Sequence, residues 1–140
     1  MTEQTVTLVM PARSEYLILA RLALAGIARS VPIGEEVLSD LKLAVTEACG
    51  NAVAHAYRET AGTVEIRYVV DDGSIAIEVR DEGDREPPEL PSGMPEVEDG
   101  LPPESGMGLA IVQAIVDELE IEAVDDVGTV VRMRKRLSGP

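Results

Sequence analysis

The sequence is poor in aromatic residues, in the cysteines that form disulfides and in the residues that most often bind metals. Its 140 residues include three Tyr, no Phe, no Trp, one His and one Cys. The scarcity of aromatic rings disfavours nucleic-acid binding by base stacking. A single Cys49 excludes an intrachain disulfide and a cysteine-based metal cluster. Because Cys49 lies in an apolar run, we interpret it as a buried side chain rather than a nucleophile.

Positive charge and long hydrophobic runs are also scarce. Twelve Lys and Arg stand against 26 Asp and Glu, a formal net charge of −14, which would repel a phosphate backbone. We therefore expect no direct nucleic-acid partner. The longest apolar stretch, residues 16–28, is interrupted by Arg21 and is shorter than the roughly 20 residues needed to cross a bilayer. With no secretory signal visible at the N-terminus, we expect no membrane partner and a cytoplasmic location.

The remaining composition favours one globular domain. Hydrophobic residues make up 45% of the chain, enough for one packed core without disulfides or metal at this length. We therefore expect a single domain over residues 1–140.

Periodicity predicts five strands and three helices. The turn signal Asp71-Asp72-Gly73 predicts a hairpin, and Ser14 is a candidate N-cap for the first helix. A proline-rich, acidic segment at 81–105 predicts a long loop. Strands are predicted at 4–10, 63–70, 74–80, 121–124 and 128–137, and helices at 14–30, 35–57 and 106–119. This order predicts an α+β two-layer sandwich, with a mixed, mostly antiparallel sheet and three helices on one face.

Three polar side chains form a stripe on the second predicted helix. Glu47, Asn51 and His55 are four residues apart, so successive members lie about 40° apart around the helix. Such a stripe can be an ordinary solvated face. A zinc site is disfavoured because the chain has one His and one apolar Cys. Oxygen donors instead suit Mg²⁺, which is commonly shared with substrate phosphates.

Two glycine-containing segments follow. Asp81-Glu82-Gly83 comes directly after a strand, where a carboxylate can point into a pocket, although such a segment is commonly only a turn. Residues 105–109 (SGMGL) open a helix, whose first N–H groups favour an anion. Taken alone, each is weak evidence for a site.

Taken in order, these segments resemble the Bergerat-fold ATPases, which include gyrase, chaperone, histidine kinase and MutL-like proteins. Within that group the chain resembles the small anti-sigma factor serine kinases of the RsbW/SpoIIAB type. TEACGNAVAHAY resembles their N-box and SGMGLAIV their second glycine box. The resemblance spans nearly the whole chain and implies a histidine-kinase-like ATPase fold.

The resemblance implies ATP and Mg²⁺ as cofactors and assigns roles to the residues. Glu47 would be the general base toward a substrate serine, Asn51 would coordinate Mg²⁺ on the ATP phosphates, and Asp81 would bind the adenine amino group. Residues 82–105 would form an ATP lid. The other residues implied to contact the nucleotide or shape its pocket are His55, Gly83, Ser105, Gly106, Met107, Gly108 and Leu109. For His55, a packing role is equally open.

The implied function is that of an ATP-dependent serine protein kinase and anti-sigma factor. It would bind a sigma factor, phosphorylate a STAS-type anti-anti-sigma protein on serine and form a homodimer. Two alternatives are a nucleotide-binding module that sequesters a partner without phosphoryl transfer, and an interaction protein without nucleotide. Arg85 replaces a second glycine that the wider family often has, and it could neutralise phosphate or pair with local carboxylates.

Basic residues cluster near the C-terminus, at Arg132, Arg134, Lys135 and Arg136. On a terminal strand, such residues are typical of solvent-facing charges that protect a sheet edge.

Overall fold

The structure is a computed structural model that describes residues 3–56, 62–81, 107–123 and 128–137. Within these ranges lie five strands and three α-helices, with one turn of 3-10 helix (Ser14–Tyr16) before the first α-helix. The strands are β1 (Gln4–Pro11), β2 (Thr63–Val70), β3 (Ser74–Asp81), β4 (Glu118–Ala123) and β5 (Thr129–Arg136). The α-helices are α1 (Leu17–Ile27), α2 (Glu35–Ala56) and α3 (Met107–Ile115).

The strands form one sheet in the order β1-β2-β3-β5-β4. Each of the four neighbouring pairs is antiparallel. α2 packs over β3 and β5 and lies against both α1 and α3, so the helices cover one face. The predicted α+β two-layer sandwich is therefore confirmed. The sheet was predicted to be mixed and mostly antiparallel, and all of its described strand pairs are antiparallel.

The hairpin between β2 and β3 follows from its sequence pattern. Side chains alternate between buried and more exposed positions along β2, as expected for a strand with one covered face. At the turn, Gly73 has a φ of 97°, which a residue with a Cβ rarely adopts. The Ser74 hydroxyl donates a 2.7 Å hydrogen bond to the Asp71 carboxylate. The predicted hairpin is confirmed.

Tyr68 joins the sheet to the helical layer. Its side chain is fully buried, and its hydroxyl donates a 2.7 Å hydrogen bond to the Ala20 carbonyl in α1. Burial raises the pKa of Tyr68 well above its usual range, so the hydroxyl stays protonated and available as a donor. This bond helps to hold α1 on β2.

The other face of the sheet carries charged residues in cross-strand rows. One row follows the register across all five strands, as Thr7, Arg67, Glu78, Arg132 and Glu120. The Arg132 guanidinium lies 2.6 Å from the Glu122 carboxylate and 3.2 Å from that of Glu78. Opposite charges on neighbouring strands stabilise such a surface modestly. We call this surface the outer sheet face; its charged strand residues are Glu65, Arg67, Glu78, Arg80, Glu118, Glu120, Glu122, Arg132, Arg134 and Arg136.

The first helix differs from its sequence-based prediction at both ends. Ser14 is not an N-cap of α1, because it begins the 3-10 turn and α1 starts only at Leu17. At the other end α1 stops at Ile27, and the Ser30 hydroxyl donates to the Ile27 carbonyl. Pro32 disfavours helical backbone just before it, which is consistent with this early stop.

The third helix is shorter than predicted. α3 ends at Ile115, and Leu119 lies in β4 opposite Met133. β4 therefore begins at Glu118 rather than at residue 121. The apolar spacing around Leu119 fits either a helix or a strand, and pairing with β5 decides between them.

Within the described ranges, no helix has both the length and the apolar character needed to cross a membrane.

Candidate functional site

α2 presents the predicted polar stripe at the end of the helix that meets α3. The flank that packs into the core is lined by small residues, including Ala44, Ala48 and Ala52, which allow α2 to lie close to its neighbours. Glu47 is half-buried and Asn51 is only 7% exposed. The stripe is therefore not an ordinary solvated helix face.

Gly108, in the first turn of α3, lies directly against these two residues. A Cβ placed on Gly108 would be 2.7 Å from Glu47 Oε2 and 3.8 Å from Asn51 Nδ2. The first of these distances is shorter than van der Waals contact allows, so a side chain here would displace the carboxylate. The absence of a Cβ lets α3 begin beside both functional groups.

The Asn51 amide has an unmet hydrogen-bonding requirement. Its Nδ2 atom is buried and has no hydrogen-bond partner among the described residues. An unpaired buried polar group costs about 1–3 kcal/mol, and buried polar groups are nearly always paired. The amide therefore points to a bound group that the described protein atoms do not supply.

The electrostatics of this location suit phosphate together with a hard cation. The first N–H groups of a helix and its dipole attract anions. The Asn51 amide also carries an oxygen, a donor type that Mg²⁺ accepts. Among the described residues, no group of three His, Cys, Asp or Glu side chains is placed to hold a metal ion. The donors present thus fit a cation that takes most of its ligands from phosphate and water.

A second pair of buried polar residues lies at one end of the sheet. Asp81, the last residue of β3, is 8% exposed and is directly opposite Thr129 of β5, which is 6% exposed. Asp81 lies on the covered face, as shown by its alternation with Val79 and Ile77. Sequence reasoning missed Thr129, because its place beside Asp81 depends on the pairing of β3 with β5. β5 pairs with β3 although β4 comes between them in the chain, and no local sequence pattern indicates this pairing.

Of the remaining predicted site residues, the structure describes some in part and others lie outside the described ranges. Leu109 is almost completely buried. His55 lies in the last turn of α2 and Met107 begins α3; the side chains of both lie outside what the structure describes. Gly83, Arg85, Ser105 and Gly106 lie outside the described residues, as does the predicted lid at 82–105.

Cys49 has no place in the chemistry of this site. Its side chain is fully buried, and burial raises the pKa of the thiol to about 12. A thiol in that state is a poor nucleophile. The interpretation of Cys49 as a core residue is confirmed.

Comparison with known proteins places this arrangement in a family. The profile of the histidine kinase-like ATPase domain matches residues 10–135. The chain belongs to this ATPase family. The serine-protein kinase RsbW of Bacillus licheniformis is 36% identical over 135 residues, which cover 91% of this chain and 83% of that protein. The anti-sigma F factor of Caldanaerobacter subterraneus is 35% identical over 133 residues, 89% of this chain and 87% of that protein.

A solved structure agrees with this assignment at the level of fold. The RsbU and RsbW domains of a Mycobacterium tuberculosis protein superpose with a TM-score of 0.72 at 22% identity. The match covers 98% of this chain and 33% of that one. The histidine-kinase-like ATPase fold expected from the sequence is confirmed.

Proposed function

We propose that this member of the ATPase family is an ATP- and Mg²⁺-dependent serine protein kinase and an anti-sigma factor. It binds a sigma factor and phosphorylates a STAS-type anti-anti-sigma protein on serine. The observation that carries the proposal is the meeting of the Glu47 carboxylate, the unpaired Asn51 amide and the α3 N-terminus at Gly108. The names of the two relatives, a serine-protein kinase and an anti-sigma factor, support it.

Glu47 is the general base of the proposed reaction. Its carboxylate takes the proton from the substrate serine hydroxyl while a bond forms between the serine oxygen and the γ-phosphorus. The bond between that phosphorus and the oxygen bridging to the β-phosphate breaks, and ADP leaves with the electron pair. The proton remains on Glu47 until it is lost to solvent. Phosphoryl transfer needs mainly positioning and charge neutralisation, and a positioned base contributes about 10²–10⁴-fold.

Asn51 and the first turn of α3 hold the phosphates in this proposal. The N–H groups at the start of α3 would donate to phosphate oxygens, and the Asn51 amide oxygen would be a ligand for the cation. Bound Mg²⁺ would neutralise the phosphate charge that builds up during transfer. Gly108 keeps the helix start close enough to Glu47 for base and phosphate to share one location.

The adenine end of the proposed site lies at Asp81. A buried carboxylate at a strand end can accept a hydrogen bond from the adenine amino group, and Thr129 beside it offers a hydroxyl. Residues 82–105 follow Asp81 directly in the chain, and we assign them to the ATP lid of a single 1–140 domain.

Because sigma factors act in the cytoplasm, the proposal includes a cytoplasmic location.

The proposal also includes a homodimer formed through α1 and β1. Ile18 and Leu22, one helical turn apart on α1, are each 57% exposed, and Val6 of β1 is 42% exposed. β1 is an edge strand without a charged residue, whereas the opposite edge strand, β4, carries three glutamates. Apolar exposure on an uncharged edge is typical of a surface that meets another chain.

The decisive experiment compares Glu47→Gln with the wild type in a transfer assay. The protein is incubated with labelled ATP, Mg²⁺ and the anti-anti-sigma protein encoded near it. We expect Glu47→Gln to reduce transfer at least about 100-fold while the affinity for ATP, measured by calorimetry, is retained. Glu36→Gln is the matched control, because it removes one charge from an exposed position of the same helix and should leave transfer unchanged.

Other results would point elsewhere. Binding of ATP without transfer to any anti-anti-sigma protein would favour a module that sequesters its partner without catalysis. A flat titration with Mg·ATP and no thermal shift would exclude nucleotide binding, since a ligand at 100 times its Kd stabilises by about 2.7 kcal/mol. Full transfer by Glu47→Gln would contradict the role assigned to Glu47.

A further inference from the structure

The basic residues near the C-terminus do not form one surface. Arg132 and Arg134 lie on the outer sheet face, where carboxylates of neighbouring strands approach them. Lys135 has the opposite orientation, because it is opposite Ile75 in the register and Ile75 is fully buried. Its side chain is only 15% exposed. The sequence-based interpretation as solvent-facing charge thus fits Arg132, Arg134 and Arg136 but not Lys135. The interpretation as edge protection was wrong, because β5 lies between β3 and β4 rather than at an edge.

The Lys135 ammonium group joins three elements. Nζ donates a hydrogen bond to the carbonyl of Ile115, the last residue of α3. It also lies 3.6 Å from the Asp40 carboxylate on α2. A lysine at a helix C-terminus satisfies a free carbonyl and interacts favourably with the helix dipole. Lys135 therefore connects β5 to the end of α3 and to α2 at once.

Two further contacts fix the chain just after α3. The Asp117 N–H donates to the Arg134 carbonyl at 2.9 Å, and the Arg136 N–H donates to the Asp117 carboxylate at 2.8 Å. Both use the backbone of β5 and would persist whatever side chains β5 carries. Among the described residues, Lys135 is the one side chain of the basic cluster that binds α3 itself.

The other end of α3 lies at the proposed phosphate site. α3 has nine residues and is therefore about 13 Å long, short enough to move as a rigid unit. A tilt at Ile115 would displace Gly108 relative to Glu47 and Asn51. The tight approach at Gly108, where a Cβ would be 2.7 Å from Glu47 Oε2, leaves little tolerance for such a tilt.

We propose that Lys135 is a positioning residue for the nucleotide site: by clamping the C-terminal end of α3 to α2 and β5, it holds the start of α3 against Glu47 and Asn51. This inference rests on the proposed function for its effect on ATP, but the clamp itself is independent of nucleotide.

The test replaces Lys135 with Met, which keeps the aliphatic stem and removes the donor. We expect Lys135→Met to raise the KM and Kd for ATP about tenfold, while kcat stays within about threefold, at a temperature where the variant is folded. Lys135→Arg should retain most of the affinity, because the guanidinium can also donate to Ile115. Lys42→Met, which removes one positive charge from α2, is the control and should behave as wild type.

Hydrogen exchange without nucleotide is the second readout. In Lys135→Met the amides of residues 110–115 should exchange faster than in wild type, with those of β2 and β3 unchanged. A Kd and KM within twofold of wild type, with only a lower Tm, would show that Lys135 merely stabilises the fold and would overturn the proposal. Unchanged exchange in α3 would overturn it as well. If the wild type binds no ATP, the proposed function fails, and the exchange comparison still decides whether the clamp exists.

Discussion

At the scale of single residues, the close approach of Gly108 to Glu47 makes the position of the proposed general base depend on the α3 backbone. The atom that a Cβ at position 108 would meet is the tip of a flexible side chain, so the fold can accommodate the change by moving Glu47. The proposed base is then what is displaced. Function should therefore be more sensitive than stability at this position.

Gly108→Ala tests this difference. We expect phosphoryl transfer to fall at least about tenfold, because the methyl group pushes the carboxylate away from the α3 N-terminus. The free energy of unfolding should change by less than about 1 kcal/mol, since Ala is favoured over Gly in a helix by a similar amount. Transfer assays and urea unfolding on the same preparation measure both quantities.

Gly50→Ala is the control for this substitution. Gly50 lies in α2, where an added Cβ meets no atom of the described residues within 4 Å, so the variant should be slightly more stable and fully active. Equal activity of Gly108→Ala and wild type would show that the carboxylate is not confined by α3.

At the scale of elements, α1 leaves two large apolar side chains exposed, more than α2 or α3 among the described residues. Ala20 and Leu24 are fully buried, whereas Ile18 and Leu22 on the opposite side are each 57% exposed. If the proposed homodimer forms, we expect Leu22→Asp to convert it into a monomer in analytical ultracentrifugation, because the substitution places a charge in the proposed interface. The change should leave the monomer folded, since Leu22 contributes little to the core.

Leu43→Asp provides the comparison for that measurement. Leu43 is 42% exposed on α2, so the substitution adds the same charge on another helix. It should leave the proposed homodimer intact. Dissociation by both variants would indicate a general charge effect, and dissociation by neither would exclude α1 from the interface.

The elements also show what sequence patterns can and cannot predict. The β2–β3 hairpin is encoded locally by alternation and by Asp71–Gly73, and the stripe of Glu47 and Asn51 by helical spacing. The position of Thr129 beside Asp81 and the clamp at Lys135 depend on β5 inserting between β3 and β4. Local signals do not specify such a long-range pairing. The sequence pattern therefore predicted Asp81 without Thr129, and it indicated a surface position for Lys135.

At the scale of the whole molecule, the formal net charge of −14 opposes the approach of ATP. Surface charges are screened over about 8 Å at physiological ionic strength and over about 30 Å at 0.01 M, whereas contacts inside a buried site are screened much less. Added salt should therefore weaken the repulsion more than the binding contacts. We expect the association rate constant of Mg·ATP to rise about two- to fivefold between 0.01 and 0.15 M KCl.

Stopped-flow measurements give the association rate constants of a fluorescent ATP analogue and of the matching uncharged nucleoside at each salt concentration. The nucleoside rate should not depend on salt. If the association rate of the nucleotide instead falls as salt increases, the local positive field at the start of α3 outweighs the repulsion from the net negative charge of the protein.

The outer sheet face has a further consequence for the molecule as a whole. Its ten charged strand residues are five arginines and five glutamates, so this side is electrically neutral in formal terms. The entire excess of 14 negative charges must then reside on the helical layer, the connecting segments and the chain ends. The outer sheet face therefore gives a distant cationic macromolecule no net attraction, and its approach is directed by charges that lie elsewhere on the chain.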